Sequence, residues 1–426
     1  RDTIRTRFAV VSRHTTDGHR FGVQMDIAIP FTQRGLELAR PGGTLAFLLP
    51  AKLWRSVAAG ALRHHLLQHA TPLLLRDHSI DAGGFSAAVY PSAVVLQRNL
   101  RHHTTGHPHM HGHPHSGNVE CHTHDGAGTA HAFPVPATAL TAAGHPGAPW
   151  RIVPDTVRLA ADTLSHAGHR WTDSILPPPS LGVKTGRNDA FLIDDGDVPH
   201  ALRPWTRPVL RGDHVRPWHA EDSSLSIVVP LDADGRTLTR LPPALARHFA
   251  PHERALHART DLRPREPWWS IFRTDLLATG GWRVIWADIG RSLRAMILPP
   301  HARPVPLNTC YGVRLHDPVD AHALAALLNA PTTTAWLSLV AEPARGGYHR
   351  FLGWTVLALP LPDWQRARER LAPIAARARR GEPVSVQSLH AATLDAYDLP
   401  PAAVAPLLDW CGSDIRRERI ERARAS

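Results

Sequence analysis

"RGLELARPGGTLAFLLPAKLWRS", residues 34–56, carries the reading of the fold. The stretch leading into it, "DIAIPFTQRGLELAR" (26–40), places Phe31, Leu36 and Leu38 towards one face of a helix. Pro41-Gly42-Gly43 stops that helix, glycine being the usual residue past a helix end. "TLAFLLP" (44–50) is then an unbroken apolar run closed by proline, the pattern of a strand buried on both faces and hence of a parallel sheet. Working outward, "LWRSVAAGALRHHLLQHA" (53–70) repeats Val57, Ala61, Leu62 and Leu66 at helical spacing. "TPLLLRDHS" (71–79) and "SAVVLQRN" (92–99) read as two more buried strands. Helix, strand, helix, strand, strand is the order of the second half of a doubly wound α/β sheet. The first half is not in this sequence. With its start at Arg rather than Met and a polar, basic 1–20 unlike a signal peptide, the chain is expected to be a fragment.

Residues 102–150 are expected to be a His-rich disordered loop and linker, because "HHTTGHPHMHGHPHSG" has nothing with which to build a core. A second ordered region is expected over 151–365. It opens with the helix "DTVRLAADTLSHAG" (155–168), N-capped by Asp155, and continues through short strand-like pieces rich in Trp and Pro. "VDAHALAALLNAPTTTAWLSLVA" (319–341) reads as helix in two parts, and "WTVLALPLP" (354–362) as a closing strand. Residues 366–426 read as a helical C-terminal segment.

At 426 residues and 43% apolar, the chain can bury ordinary cores and hold two or three domains. No run of about 18 apolar residues exists to span a membrane. Cys121, Cys310 and Cys411 lie far apart, which fits a reducing, cytoplasmic setting rather than a disulfide framework. The net charge of +11 suits a polyanionic partner, although Arg and Ala in place of Lys is also what GC-rich coding produces.

Several motifs fail on spacing. "DAGGFSAA" (81–88) lacks a following helix and an acid about 20 residues on, as a nucleotide-binding turn requires. "HERALH" (252–257) puts its histidines five apart, off a shared helix face. The His-rich segment can take up metal in vitro but lacks a fixed geometry, so no metal site is expected. One stretch stays: "LGVKTGRNDAFLID" (181–194), which holds one of only two lysines, against 46 arginines. Gly182 and Gly186 permit turns that side chains block. Lys184, Thr185, Arg187 and Asn188 offer an ammonium, a hydroxyl, a guanidinium and an amide, groups that can hold a phosphate backbone or a base edge. A plain surface turn with a solvated lysine is the competing reading.

These pieces, in this order, resemble the N6-adenine-specific DNA methyltransferases of the TaqI/Eco57I type. Residues 34–56 resemble the helix, Pro-Gly-Gly turn and strand that follow the family's catalytic motif, and "GGFSAAVYPSAVVLQR" (83–98) its later sheet motif. "LGVKTGRNDAFLI" (181–193) resembles the Gly-x-x-Thr-Gly-x-Asn-x-x-Phe stretch that opens its target-recognition domain. "RPVLRGDHVRPW", "WWSIFR", "RVIWADIG" and "GGYHRFLGWTVLALPLP" follow in the family's order. The resemblance covers roughly residues 20–100 and 150–365, and both lysines, Lys52 and Lys184, fall inside matched motifs.

The resemblance implies an α/β fold: the second half of a doubly wound Rossmann-like methyltransferase sheet over 1–101, followed by an α+β target-recognition domain over 151–365. It implies base flipping and methyl transfer from S-adenosylmethionine to adenine N6, with Phe85 stacking on the flipped base. Lys184, Thr185, Gly186, Arg187 and Asn188, with Arg211 of "RPVLRGDHVRPW", would contact double-stranded DNA. The sequence departs from the family at the chemistry. Every Pro-Pro is preceded by Leu or Pro ("ILPPPS", "RLPPAL", "ILPPHA", "DLPPAA"), so the (Asn/Asp/Ser)-Pro-Pro-aromatic motif is missing, as is the glycine-rich cofactor loop. The expectation is therefore a methyltransferase fragment of a restriction-modification or phage-defence system, inactive by itself, with most of the cofactor site outside this chain. Its partners would be DNA and the missing N-terminal half or a separate catalytic chain. The alternatives are a non-catalytic DNA-binding specificity subunit and a His-rich metal-handling protein.

Overall fold

The computed structural model describes residues 4, 7–11, 26–78, 90–100, 117–141, 147–278, 280–344 and 347–412. The chain forms two compact units, each drawn from separate stretches. The first comprises Arg1–Thr163, Ala335–Arg350 and Ala402–Ser426, and the second Leu164–Thr334 and Phe351–Pro401.

Unit 1 is built on helices α1 (Ala28–Leu38) and α2 (Gly60–His69) and strands β1 (Thr44–Pro50), β2 (Ala70–Asp77), β3 (Pro91–Arg98), β4 (Asn118–His124) and β5 (Ala130–Pro136). The predicted helix, strand, helix, strand, strand order over 26–99 is thus present. The sheet order is β1-β3-β2-β4-β5. Strands β1 and β2 each pair antiparallel with β3, and β2 pairs parallel with β4. The wholly parallel sheet expected from the apolar runs is therefore mixed: β3 inserts between β1 and β2 in the opposite sense. Nor is β1 buried on both faces. Leu49 is buried while Leu48 is 51% exposed. An apolar run alone does not report strand direction or double burial.

Helix α1 turns only part of the predicted face inward: Leu36 is buried as expected, but Phe31 and Leu38 are not. Ile29 and Leu36 are buried, seven residues apart, while Phe31 and Leu38 face solvent and the Phe31 ring packs on Phe47 with centroids 5.1 Å apart. Residues 102–150 hold more structure than the loop and linker expected there. Residues 101–116 lie outside the described residues, but β4 and β5 are registered from Asn118↔Pro136 to His124↔Ala130. The reason is period-two alternation: Val119 and Cys121 enter the core while Asn118 and Glu120 point out. Trp54 stacks on Trp150 at 5.0 Å, and Arg63 is fully buried, donating to the carbonyls of Leu53, Ser56, Gly147 and Ala148. Burial pushes the Arg63 guanidinium down to about 9.

Helix α3 (Asp155–Ala167) forms where predicted, but Asp155 is its first residue rather than its N-cap: the first backbone bond runs from Arg158 N–H to the Pro154 carbonyl. Unit 2 holds two four-stranded sheets. One joins β11 (Ala295–Leu298), β10 (Trp282–Ala287), β13 (Cys310–Leu315) and β6 (Ser180–Leu181), all antiparallel. The other joins β12 (Val305–Pro306), β8 (Thr206–Leu210), β9 (Leu225–Val228) and β7 (Leu192–Asp194). The two-part helix predicted over 319–341 is α5 (Pro318–Asn329) and α6 (Pro331–Val340). "WTVLALPLP" is not a strand: Gly353–Leu357 is helical, with Thr355 and Val356 buried. Helix α7 (Trp364–Arg379) ties to the start of α5, where Arg368 bonds Asp317 and Asp320 and the Trp364 indole donates to Asp320 at 2.9 Å. No single helix among the described residues is long and apolar enough to cross a membrane.

Candidate nucleic-acid interface

The 181–191 loop leaves β6 and runs into α4 (Asn188–Phe191) within unit 2. Gly182 is required by contact. A Cβ there would meet the Leu307 carbonyl at 2.1 Å, because the Gly182 N–H donates to Cys310 O (2.9 Å) and Val183 N–H to Pro306 O (2.7 Å). The backbone of Lys184 pairs with that of Phe272 through two hydrogen bonds of 2.9 Å. Gly186 then turns the chain at φ +69°, where a side chain is strained.

Thr185, expected among the DNA-contacting groups, faces inward and is 4% exposed. Its hydroxyl donates to the Asn188 side-chain oxygen (2.7 Å) and accepts from the Arg187 N–H (3.2 Å). These bonds close the turn from inside. Lys184, Gly186, Arg187 and Asn188 are exposed. Ala190 and Phe191 anchor the far end of the loop in the core, Phe191 packing on Phe249 at 5.1 Å.

Sequence reasoning missed the residue beneath the loop. Arg259 is 8% exposed and donates to the carbonyls of Thr185, Ser270 (3.0 Å), Trp268 (2.7 Å) and Leu256 (3.2 Å). Its guanidinium also lies over the rings of Phe272 (5.0 Å) and Phe191 (5.7 Å). Burial lowers its pKa, opposed by Asp261. Nothing in "HARTDLRPR" separates this arginine from 45 others by spacing.

Each loop cation has a carboxylate. Lys184 Nζ lies 2.9 Å from Asp261, and Arg187 Nε lies 2.9 Å from Asp189. Each of these bonds holds its carboxyl below the usual range. Both cations remain about half exposed. Lys52 has the same arrangement in unit 1, 2.8 Å from Asp26. Arg211 directly follows β8, exposed and 3.4 Å from Asp213. It reaches the loop's surroundings through the 306–310 segment: Gly212 donates to Thr309 Oγ1 (3.0 Å), while Gly182 and Val183 donate to Cys310 and Pro306. Phe85 lies outside the described residues.

No family model matches the chain, and no curated protein matches it by sequence. Among solved structures, the type IIL restriction-modification enzyme MmeI, determined in complex with DNA, matches with a TM-score of 0.57 over 91% of this chain at 12% identity. This likeness is one of fold. The chain spans about half (52%) of the length of MmeI. The type ISP enzyme LlaGI (TM-score 0.43, 9% identity, covering 89% of this chain and 32% of its own) and the type IIG endonuclease BpuSI (0.34, 10%, 96% and 52%) resemble it too slightly to bear on the fold.

Among the described residues of unit 1, the end of β1 does not offer the turn that would hold S-adenosylmethionine. β1 closes in Pro50 and passes directly into the 3-10 turn Ala51–Trp54, and β2 closes in the buried Asp77. The end of β1 thus offers no glycine turn for a nucleoside, and residues 79–89, which follow β2, lie outside the described residues. No group of three or more metal-ligating side chains occurs among the described residues.

Proposed function

We propose that the chain is the DNA-gripping, distal part of an N6-adenine DNA methyltransferase of a restriction-modification system. The observation that carries this is the fold match to MmeI over 91% of the chain, together with the loop at 182–191 that the fold presents. The mixed order β1-β3-β2, with its reversed middle strand, supports reading unit 1 as the second half of a methyltransferase sheet. Unit 2 serves as the target-recognition part. Lys184, Arg187 and Asn188 contact the duplex, with Arg211 beside them, while Thr185 and Gly186 set the shape of the loop. Phe85 stacks on the flipped adenine.

Methyl transfer needs groups this sequence does not carry. An Asn-Pro-Pro-aromatic motif and a cofactor loop must come from another segment, of the same or a separate polypeptide. The missing motif also favours a second reading, a specificity subunit that never performs chemistry. Incubating the chain with duplex DNA and methyl-labelled S-adenosylmethionine tests the division of labour. DNA binding without label transfer is expected. Robust transfer to adenine overturns the proposed split. Transfer that appears only when a glycine-loop, Asn-Pro-Pro-containing partner is added separates the methyltransferase reading from the specificity subunit.

A further inference from the structure

Four non-glycine residues among those described hold a positive φ: Trp218, Arg265, Arg273 and Asp398. Two of them are arginines on the 259–273 segment, which also supplies Arg259 and Asp261 to the loop. Arg265 sits at the third position of a turn closed by Glu266 N–H to Arg263 O (3.1 Å), with Pro264 at the second. Proline second and a positive φ (+72°) third is the type II pattern, whose third position ordinarily takes glycine or asparagine. Arg273, at φ +59°, directly follows Phe272, whose backbone is paired with Lys184. Both arginines are exposed, and neither has an ion-pair partner among the described residues. Lys184 and Arg187 differ in this respect, each being neutralised by an aspartate.

A long β-unbranched cation gains nothing for the fold from a left-handed backbone, and glycine would take the same turn with less strain. Two such arginines on the segment that encloses one basic loop ask for a reason outside the fold. We infer that Arg265 and Arg273 are two further phosphate-binding residues, gripping the DNA backbone beside the 182–188 loop. The inference rests on the DNA-binding reading and adds contacts to it. An arginine guanidinium suits a phosphate because its planar fork donates two parallel hydrogen bonds. Contacts of this kind fix the protein on the duplex without reading its sequence.

Glycine substitution tests the inference, since it removes the charge and relieves the backbone together. Binding of the full chain to a labelled duplex would be followed by fluorescence anisotropy across a salt series, with thermal melting in parallel. Arg265→Gly and Arg273→Gly should each melt at or above the wild-type temperature, bind DNA about 3- to 10-fold more weakly, and lose about one from the salt slope. Arg273→Lys, which keeps the charge, should retain the slope even if its melting point moves. Arg236→Ala, at an 80% exposed position paired with Asp234, is the charge-matched comparison and should leave the slope unchanged. Glycine variants that bind with wild-type affinity and slope overturn the inference, and so does an equal loss from Arg236→Ala. Failure of the wild-type chain to bind DNA instead overturns the reading on which it rests.

Discussion

The ammonium of Lys184 lies 2.9 Å from the carboxylate of Asp261, and this pair governs how much positive charge the loop shows to a ligand. An exposed pair of this kind contributes under about 1 kcal/mol to stability. Its effect on an anionic partner is larger, because the carboxylate competes for the same cation. Asp261→Asn is therefore expected to leave the melting temperature nearly unchanged and to tighten DNA binding about 3-fold at low salt. Lys184→Ala is expected to weaken binding several-fold and lower the salt slope by about one. Anisotropy titrations of the two variants check both signs.

Arg259 makes the opposite kind of contribution. Truncating it strands the carbonyls of Thr185, Ser270 and Trp268 in a largely buried setting, so Arg259→Ala should destabilise the fold by about 3 kcal/mol or more. Arg259→Lys should not restore it, because an ammonium cannot reproduce the planar fork. Urea unfolding of the three proteins measures this.

Gly182 packs against backbone rather than a movable side chain. Gly182→Ala should cost about 3 kcal/mol, the upper end for overpacking, since the Leu307 carbonyl can retreat only by breaking the Val183–Leu307 bridge. Gly186→Ala meets the strain of a positive φ and the Arg259 side chain instead, with a smaller loss of about 1 kcal/mol. Chemical denaturation ranks the two.

Unit 1 should weaken in mild acid. Burial, with His69 adding repulsion, pushes His65 down to about 4, and burial beside Arg55 pushes His349 down to about 3. Unfolded histidines titrate near 6.5. Between these values the unfolded chain binds protons that the folded chain refuses, so stability is full above pH 6.5 and falls as pH drops towards 4. Melting curves from pH 7.5 to 4.5 should show this decline, and His65→Gln should make it shallower.

The elements over 26–99 were legible because each is a local pattern: a helix ended by Pro-Gly-Gly, then apolar runs bounded by turn residues. What "TLAFLLP" could not show was its neighbour. Strand direction depends on the pairing of β1 with β3, some 45 residues away, and no local period encodes it. Phe31 and Leu38 misled for a related reason. Both are apolar at helical spacing, yet the face that packs inward is set by Ile29 and Leu36. Strands β4 and β5 were obscured by the His-rich composition next to them. At the loop, the two glycines and the lysine signalled a built turn; the inward Thr185 hydroxyl is held by its near neighbours Asn188 and Arg187, while the arginine that holds the Thr185 carbonyl lies 74 residues on, where no spacing rule reveals it.

The most direct test of the central claim is the salt dependence of duplex DNA binding by the full chain. Each phosphate contact should contribute about −0.9 to the slope of log K against log salt. Contacts from Lys184, Arg187 and Arg211 predict a slope near −3, or about −4 to −5 if Arg265 and Arg273 also contribute. No measurable binding at 50 mM salt, or an affinity that hardly changes up to 200 mM, would contradict the account.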